Sequence, residues 1–283
     1  MSVLNALKSI RKWRDRLFLF TENIRGRSAL PGGRRILFSP WPEVEPAVQR
    51  SFQSTPHTIR FGEIPPGGGD YDLVVPVSTP ALLAAAGDEA LKRKNPLPFP
   101  TVEAIQLCDD KAALNTRLRA RGFARFVPGE VAPGRYPYML KRRRDSCGRH
   151  AFRIASPADE AAHRDEIASP DYLRQDWIDG GTEYTAHLLH IRGRVRRALS
   201  MSFRMHHAAA IRGPESAWLQ RRCHSRFIRL FEAMLNAAEF EGLCCVNYKL
   251  RDGVPVLLKI NPRFGYSLGP FFSTFVRSLD WNR

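Results

Sequence analysis

Cysteine is scarce and unpatterned in this sequence, with five residues (Cys108, Cys147, Cys223, Cys244 and Cys245) in a chain of 283. The number is odd, no CxxC occurs, and the adjacent pair cannot easily bridge. This argues against a disulfide framework or a structural zinc site and for a reducing, cytosolic setting. No apolar run approaches the roughly 20 residues that cross a bilayer. The opening MSVLNALKSIRKWRDRLFLF lacks the uninterrupted apolar core and cleavage site of a secretory signal. Neither GxSxG nor the phosphate loop GxxxxGKS/T is present, so nothing points to a serine-hydrolase elbow or a P-loop nucleotidase. Acidic residues are in deficit as well: 28 Asp and Glu against 44 Lys and Arg leave a formal charge of +16. That charge favours anionic partners such as nucleic acid, acidic lipid or phosphate-bearing small molecules. No nucleic-acid-binding fingerprint accompanies it, which argues against the first of these.

What is present is globular. Hydrophobic residues make up 43% and charged residues 25%, which rules out a largely disordered chain. At about 150 residues per domain the length suggests two compact units. The charge is uneven: residues 1–35 carry nine Lys or Arg and two acids, and Lys141-Arg142-Arg143-Arg144 forms a second cluster. Leu4, Leu7, Ile10, Trp13 and Leu17 recur at helical spacing among basic residues. Such a helix either docks on its own domain or meets an anionic membrane surface, which would make the protein peripheral there. Gly26–Arg35 reads as a linker.

Short apolar runs then alternate with amphipathic ones. Arg35–Phe38, His57–Phe61 and Tyr71–Val77 predict strands, and Glu43–Gln53 and Pro80–Lys94 predict helices. Strands separated by helices build a small parallel sheet, closed by the Pro-rich hinge Asn95–Pro100. The texture then changes. A helix is expected over Asp109–Gly122, and strands over Tyr138–Lys141, Tyr172–Ile178, Glu183–Leu189 and Val195–Arg204. A long amphipathic helix is expected over Ser216–Glu241, and a hairpin of Cys244–Leu250 and Val254–Ile260 turns at Arg251-Asp252-Gly253. The division is thus 1–30 for the basic helix and linker, 31–100 for an N-terminal α/β domain, and 101–283 for the rest.

Four pieces draw attention together. They are Asp110-Lys111 at a helix start, a strand ending in Lys141 followed by a turn with Gly148, the run Gln175–Thr185, and the hairpin ending Leu258–Gly265. In this order and spacing they resemble the ATP-grasp superfamily, particularly the branch of the carbamoyl-phosphate synthetase large chain and the carboxylate–amine ligases. The resemblance covers roughly residues 100–270. It implies an α/β and α+β architecture in which two lobes, about 101–178 and 179–283, clamp a nucleotide after a small parallel-sheet domain.

The resemblance also implies roles. The nucleotide would be ATP and the substrates a small carboxylate and an amine, joined by an ATP-dependent C–N ligase through an acyl phosphate. Lys111 and Lys141 would bring cations to the phosphates, with the turn around Gly148 folded over them. Gln175 and Ile178 would offer backbone groups to the adenine, and Glu183 would hold the ribose hydroxyls. Arg263 would steady charge on the acyl phosphate or tetrahedral intermediate, and Arg204 would add a phosphate contact. Phe264–Phe272 would wall the acceptor side.

One position departs from the family pattern. Relatives place carboxylates where this chain has Asn247 and Lys259, with an amide at Asn261, and those oxygens hold Mg²⁺. An ammonium at Lys259 cannot ligate a cation. At 4 Å and an effective dielectric near 20, it repels a divalent ion by roughly 8 kcal/mol. Three readings stay open: catalysis lost with binding kept, Lys259 neutralising phosphate in place of a metal, or a local replacement in an otherwise active family. The alternative function is accordingly a catalytically impaired nucleotide-binding module. His206-His207 suggest no third ligand, Cys244-Cys245 read as core, and Cys147 is either a reactive thiol among arginines or a bystander.

Overall fold

The structure, a computed structural model, describes residues 33–145, 148–213, 215–223 and 226–281. The basic helix expected over Leu4–Leu17, most of the linker after it, and Cys147 lie outside the described residues. The chain divides into two compact units, Met1–Phe99 with Phe264–Arg283, and Pro100–Arg263.

In the first unit, β1 (Arg35–Phe38), β2 (Thr58–Phe61) and β3 (Leu73–Val75) form a parallel sheet in the order β2-β1-β3. The crossovers are α1 (Glu45–Phe52) and the turn region before β3; α2 (Thr79–Gly87) and α3 (Glu89–Lys94) follow the sheet. Alternation sends Leu37 and Val74 to one face, where they cluster with Ala85 and Leu91. Phe38 takes the other face, 5.9 Å from the ring of Phe264 and 5.4 Å from that of Phe272. The returning segment 264–276 completes that layer. Gly269 lies so close to α1 that a Cβ there would come within 2.9 Å of Val44 Cγ2, and the Ser273 N–H donates to Ser51 Oγ at 2.9 Å. The resemblance places this stretch in the larger lobe; here its buried phenylalanines pack with β1 and α1.

The second unit begins with α4 (Val102–Asp109) and α5 (Lys111–Leu118). β4 (Tyr138–Arg142), β5 (Ala151–Ile154) and β6 (Tyr172–Asp176) make an antiparallel sheet in the order β5-β4-β6, with the short helices α6 (Pro157–Ala162) and α7 (Arg164–Ala168) between the last two. β7 (Thr182–Ile191), β8 (Arg194–Arg204), β9 (Leu219–Cys223), β10 (Gly242–Arg251) and β11 (Val254–Asn261) make a second, ordered β11-β10-β7-β8-β9. One face of this sheet carries Ala186, Leu188, Val246 and Tyr248 against Leu114 of α5 and Phe231 and Leu235 of α8 (Ile228–Ala237). The register then places Glu183, Thr185, Cys245, Asn247, Lys259 and Asn261 together on the opposite face. That face is where chemistry can collect.

Some expected elements are redrawn. The helix expected over Pro80–Lys94 is two helices, because Asp88 caps the second: its Oδ1 accepts the Leu91 N–H at 2.9 Å and its Oδ2 that of Gly67 at 2.7 Å. The long helix expected over Ser216–Glu241 is confined to Ile228–Ala237, and Leu219–Cys223 pairs with β8 as an edge strand. The apolar helical period holds only where Phe231, Met234 and Leu235 are buried. Thr101 caps the unforeseen α4, and β5 was unforeseen as well. The hairpin turns as expected, with Asp252 at φ 52° and Gly253 at φ 76°. Among the described residues no helix is long and apolar enough to cross a membrane.

Candidate functional site

Lys111 opens α5 because Asp110 caps it, accepting the N–H groups of Ala112 and Ala113 at 3.0 and 3.2 Å. Its Nζ donates to the carbonyls of Arg142, Arg143 and Asp145 at 3.2, 3.0 and 3.2 Å, tying the helix start to the end of β4 and the turn beyond it. Arg143 in turn bridges Asp110 at 2.7 Å. Lys141 stands on β4 and donates to the carbonyl of Leu258 at 3.0 Å. That carbonyl is available because the β10–β11 register slips beside Asn247, pairing Asn247 with Lys259 and Tyr248 with Leu257.

Both lysines are buried, at 7% and 8% exposure. Burial first, and then the like charge of Lys259, pushes the Lys111 ammonium down to about 8. Burial, followed by Lys111 and Lys259, holds Lys141 well below the usual lysine range, with Glu183 pulling the other way. Three ammonium groups thus lie within electrostatic reach of one another. Like charges gathered in a dry place favour an anionic guest over an empty site.

A pH test separates guest from fold. The expectation that Lys111 serves an anion is tested by affinity for inorganic tripolyphosphate, which should then fall as pH rises through about 8. Ligand-free stability moves the other way. The folded value of about 8 lies below the ordinary 10.5, so stability is lower under neutral conditions and rises between the two. Titrations and thermal melts at about pH 7 and about pH 9.5 check both signs, and a flat binding profile would remove Lys111 from the site.

Glu183 is 8% exposed. Its Oε1 accepts from Arg212 Nε at 2.8 Å and pairs with the same guanidinium's Nη2 at 2.7 Å. Arg212 also donates to Thr185 Oγ1 at 3.1 Å and stacks 4.0 Å above the ring of Phe203. Thr185 donates onward to Asn247 Oδ1 at 3.2 Å, and Cys245 Sγ donates to the same oxygen at 3.2 Å. Asn261 pairs across the sheet with Cys245, and Arg263 is near enough to act on that thiol electrostatically.

The remaining candidates fall as follows. Gln175 on β6 is 2% exposed, and its Oε1 is buried with no hydrogen-bond partner among the described residues. The carbonyl of Ile178 accepts from Lys249 Nζ at 3.1 Å, and that ammonium also lies 5.1 Å over Trp177. Gly148 adopts φ 66° in the turn between β4 and β5. Arg204 is not brought to the cluster. It is exposed, stacks 5.8 Å over Trp218, and shares the strand face of Ser200 and Ser202 rather than that of Glu183. Lys249 and Arg212 were missed. Lys249 was within reach of the sequence, lying two residues beyond Asn247 on one strand, whereas Arg212 comes from a loop without pattern. His207 pairs with Glu215 at 3.0 Å; Cys244 is buried in the core, whereas Cys245, also buried, lies on the site face.

The cations suit a polyphosphate. The hairpin donors do not suit Mg²⁺: Asn247 Oδ1 already accepts two hydrogen bonds, and its cross-strand partner is Lys259. Among the described residues no three of His, Cys, Asp and Glu gather to hold a metal ion.

No model of a known protein family matches this chain, and no curated protein does. Solved structures do. The L-amino acid ligase of Bacillus licheniformis is 15% identical over 86% of this chain and 70% of its own, with a TM-score of 0.58. The D-alanine–D-alanine ligase of Bacillus anthracis is 12% identical over 88% and 96%, with a TM-score of 0.59. The carboxyaminoimidazole ribonucleotide synthase of Aspergillus clavatus, solved with ATP, is 15% identical over 82% and 71%, with a TM-score of 0.54. These proteins share the layout described above, a small parallel sheet followed by antiparallel sheets with helices, and the chain has the ATP-grasp fold.

Proposed function

We propose that this protein is an ATP-dependent carboxylate–amine ligase. One observation carries the reading: Lys111 from a helix start, Lys141 from β4 and Lys259 from β11 stand within mutual electrostatic reach, beside Glu183. Rigid elements hold all three, which keeps the cationic site formed before the anion arrives. Lys111 and Lys141 neutralise the phosphates, Gln175 and Ile178 border the base, and Glu183 meets the sugar, whose uncharged hydroxyls can donate to a carboxylate. A carboxylate oxygen attacks the γ-phosphorus, ADP leaves, and an acyl phosphate forms. An amine then attacks the acyl carbon, phosphate departs, and the amine loses a proton to give the amide. Arg263, two residues beyond β11, balances the charge that develops.

The donor set at Asn247 and Lys259 favours a second reading, nucleotide binding without turnover. Release of ADP with mixed small carboxylates and amines distinguishes them, measured on the native protein and on Lys259→Glu. Turnover by the native protein is the expected result. Turnover by the substituted protein alone would establish the binding module and overturn the ligase reading.

A further inference from the structure

We propose that the site takes a nucleoside polyphosphate free of divalent metal, with Lys259 supplying the positive charge that a metal ion would otherwise bring. The inference rests on reading the lysine cluster as a polyphosphate site, and it concerns which ionic form of the ligand enters.

A triphosphate in a dry cleft must have its charge balanced, and either metal or side-chain cations can do so. The oxygens that the first solution needs are largely engaged already. On the sheet face that carries Lys259, Asn247 Oδ1 receives Thr185 Oγ1 and Cys245 Sγ at 3.2 Å each. Thr185 Oγ1 itself accepts from Arg212. Glu183, the carboxylate of this face, has its Oε1 engaged by Arg212 at 2.7 and 2.8 Å. A hard divalent ion would meet the amide and hydroxyl oxygens of Asn247 and Thr185, both already bonded, a carboxylate engaged by Arg212, and an ammonium.

The second solution is built in. The register slip beside Asn247 sets Lys259 directly across from it, on the site face. The same slip exposes the Leu258 carbonyl to Lys141 Nζ at 3.0 Å, so Lys141 is anchored to the residue that precedes Lys259 in the chain. The Lys141 ammonium is thereby fixed to the strand that carries Lys259. Lys111 is fixed from the other side by three carbonyls at 3.0 to 3.2 Å. The result is a triad of lysines from three elements, with the ammonium groups of Lys111 and Lys141 held by backbone carbonyls. A metal entering here would meet like charge from the lysine cluster.

The ligand preference follows. In solution Mg²⁺ chelates ATP and removes negative charge from it, so the chelate is the poorer partner for a lysine triad. The test is isothermal titration of the full-length protein with ATP in excess EDTA and again in excess MgCl₂. Equal or tighter binding in EDTA is expected. Lys259→Met, which keeps the aliphatic stem, is expected to weaken binding in EDTA by about 10- to 100-fold, the worth of one charge-assisted hydrogen bond. Lys259→Glu is expected to bind in MgCl₂ but not in EDTA, the reverse of the native protein. Native binding at least tenfold tighter in MgCl₂ would overturn the inference and leave the polyphosphate site standing. Absence of ATP binding in both conditions would overturn the site itself, and the inference with it.

Discussion

Lys141→Met is expected to lower affinity for ATP at least 100-fold while leaving the melting temperature unchanged or higher. A unit charge about 4 Å from a phosphate oxygen at an effective dielectric near 20 contributes about 4 kcal/mol, close to a thousandfold before desolvation is counted. The fold loses one charge-assisted hydrogen bond, from Nζ to the Leu258 carbonyl, worth about 1.5–3 kcal/mol. Against that loss it is relieved of a buried ammonium that Lys111 and Lys259 both repel. Methionine has similar length and no charge, so the packing of β4 is kept. A residue that destabilises its own protein and strengthens ligand binding is the signature of a functional group. Titration calorimetry and thermal melts on the same preparations decide the matter. Native-like affinity together with a large drop in melting temperature would show Lys141 to be structural.

Phe272→Ala is expected to destabilise the first unit by about 3–5 kcal/mol. Phe272 is 1% exposed, and its ring centroid lies 5.4 Å from Phe38, 5.2 Å from Phe264 and 6.3 Å from Phe52. Truncation opens a cavity between the sheet, α1 and the returning segment that none of these rings can fill by rotation alone. For a unit of this size the melting temperature should fall by more than about 10 °C. Trp41, with its ring 6.4 Å from that of Phe264, gives a local fluorescence probe for the transition. Tyr266→Ala, at a position 59% exposed, is the control and should change stability by less than about 1 kcal/mol. A change at Phe272 no larger than the control's would mean that the aromatic layer contributes little.

Much of the fold was legible because its signals are local. Alternation with period two marked the strands, and Asp252-Gly253 marked the hairpin turn. Failures came where a local rule competed with a partner distant in sequence. The run Leu219–Cys223 has helical company on its C-terminal side, yet it forms the sheet's edge because the outer side of β8 offers unpaired backbone. Asp88 split a continuous apolar pattern because its carboxylate captures two N–H groups from different segments. At the site, Lys111, Lys141 and Lys259 were visible as residue types at strand and helix ends. The bond from Lys141 to Leu258 was not, since it depends on a register slip that spacing does not reveal. Arg212 reaches Glu183 from a loop, where side-chain direction has no periodicity to read.

The aromatic layer of the first unit has a temporal consequence for biosynthesis. Its strands and α1 leave the ribosome early, but Phe264, Phe271, Phe272 and Phe275 emerge only after all of Pro100–Arg263 has been made. Until then Phe38 and Phe52 have only part of their cover, from Phe61 and His57, and the nascent unit keeps an incomplete aromatic layer. Folding of this protein therefore cannot proceed strictly from the N-terminus. The later-made unit has all its residues first, and the earlier-made one is finished last.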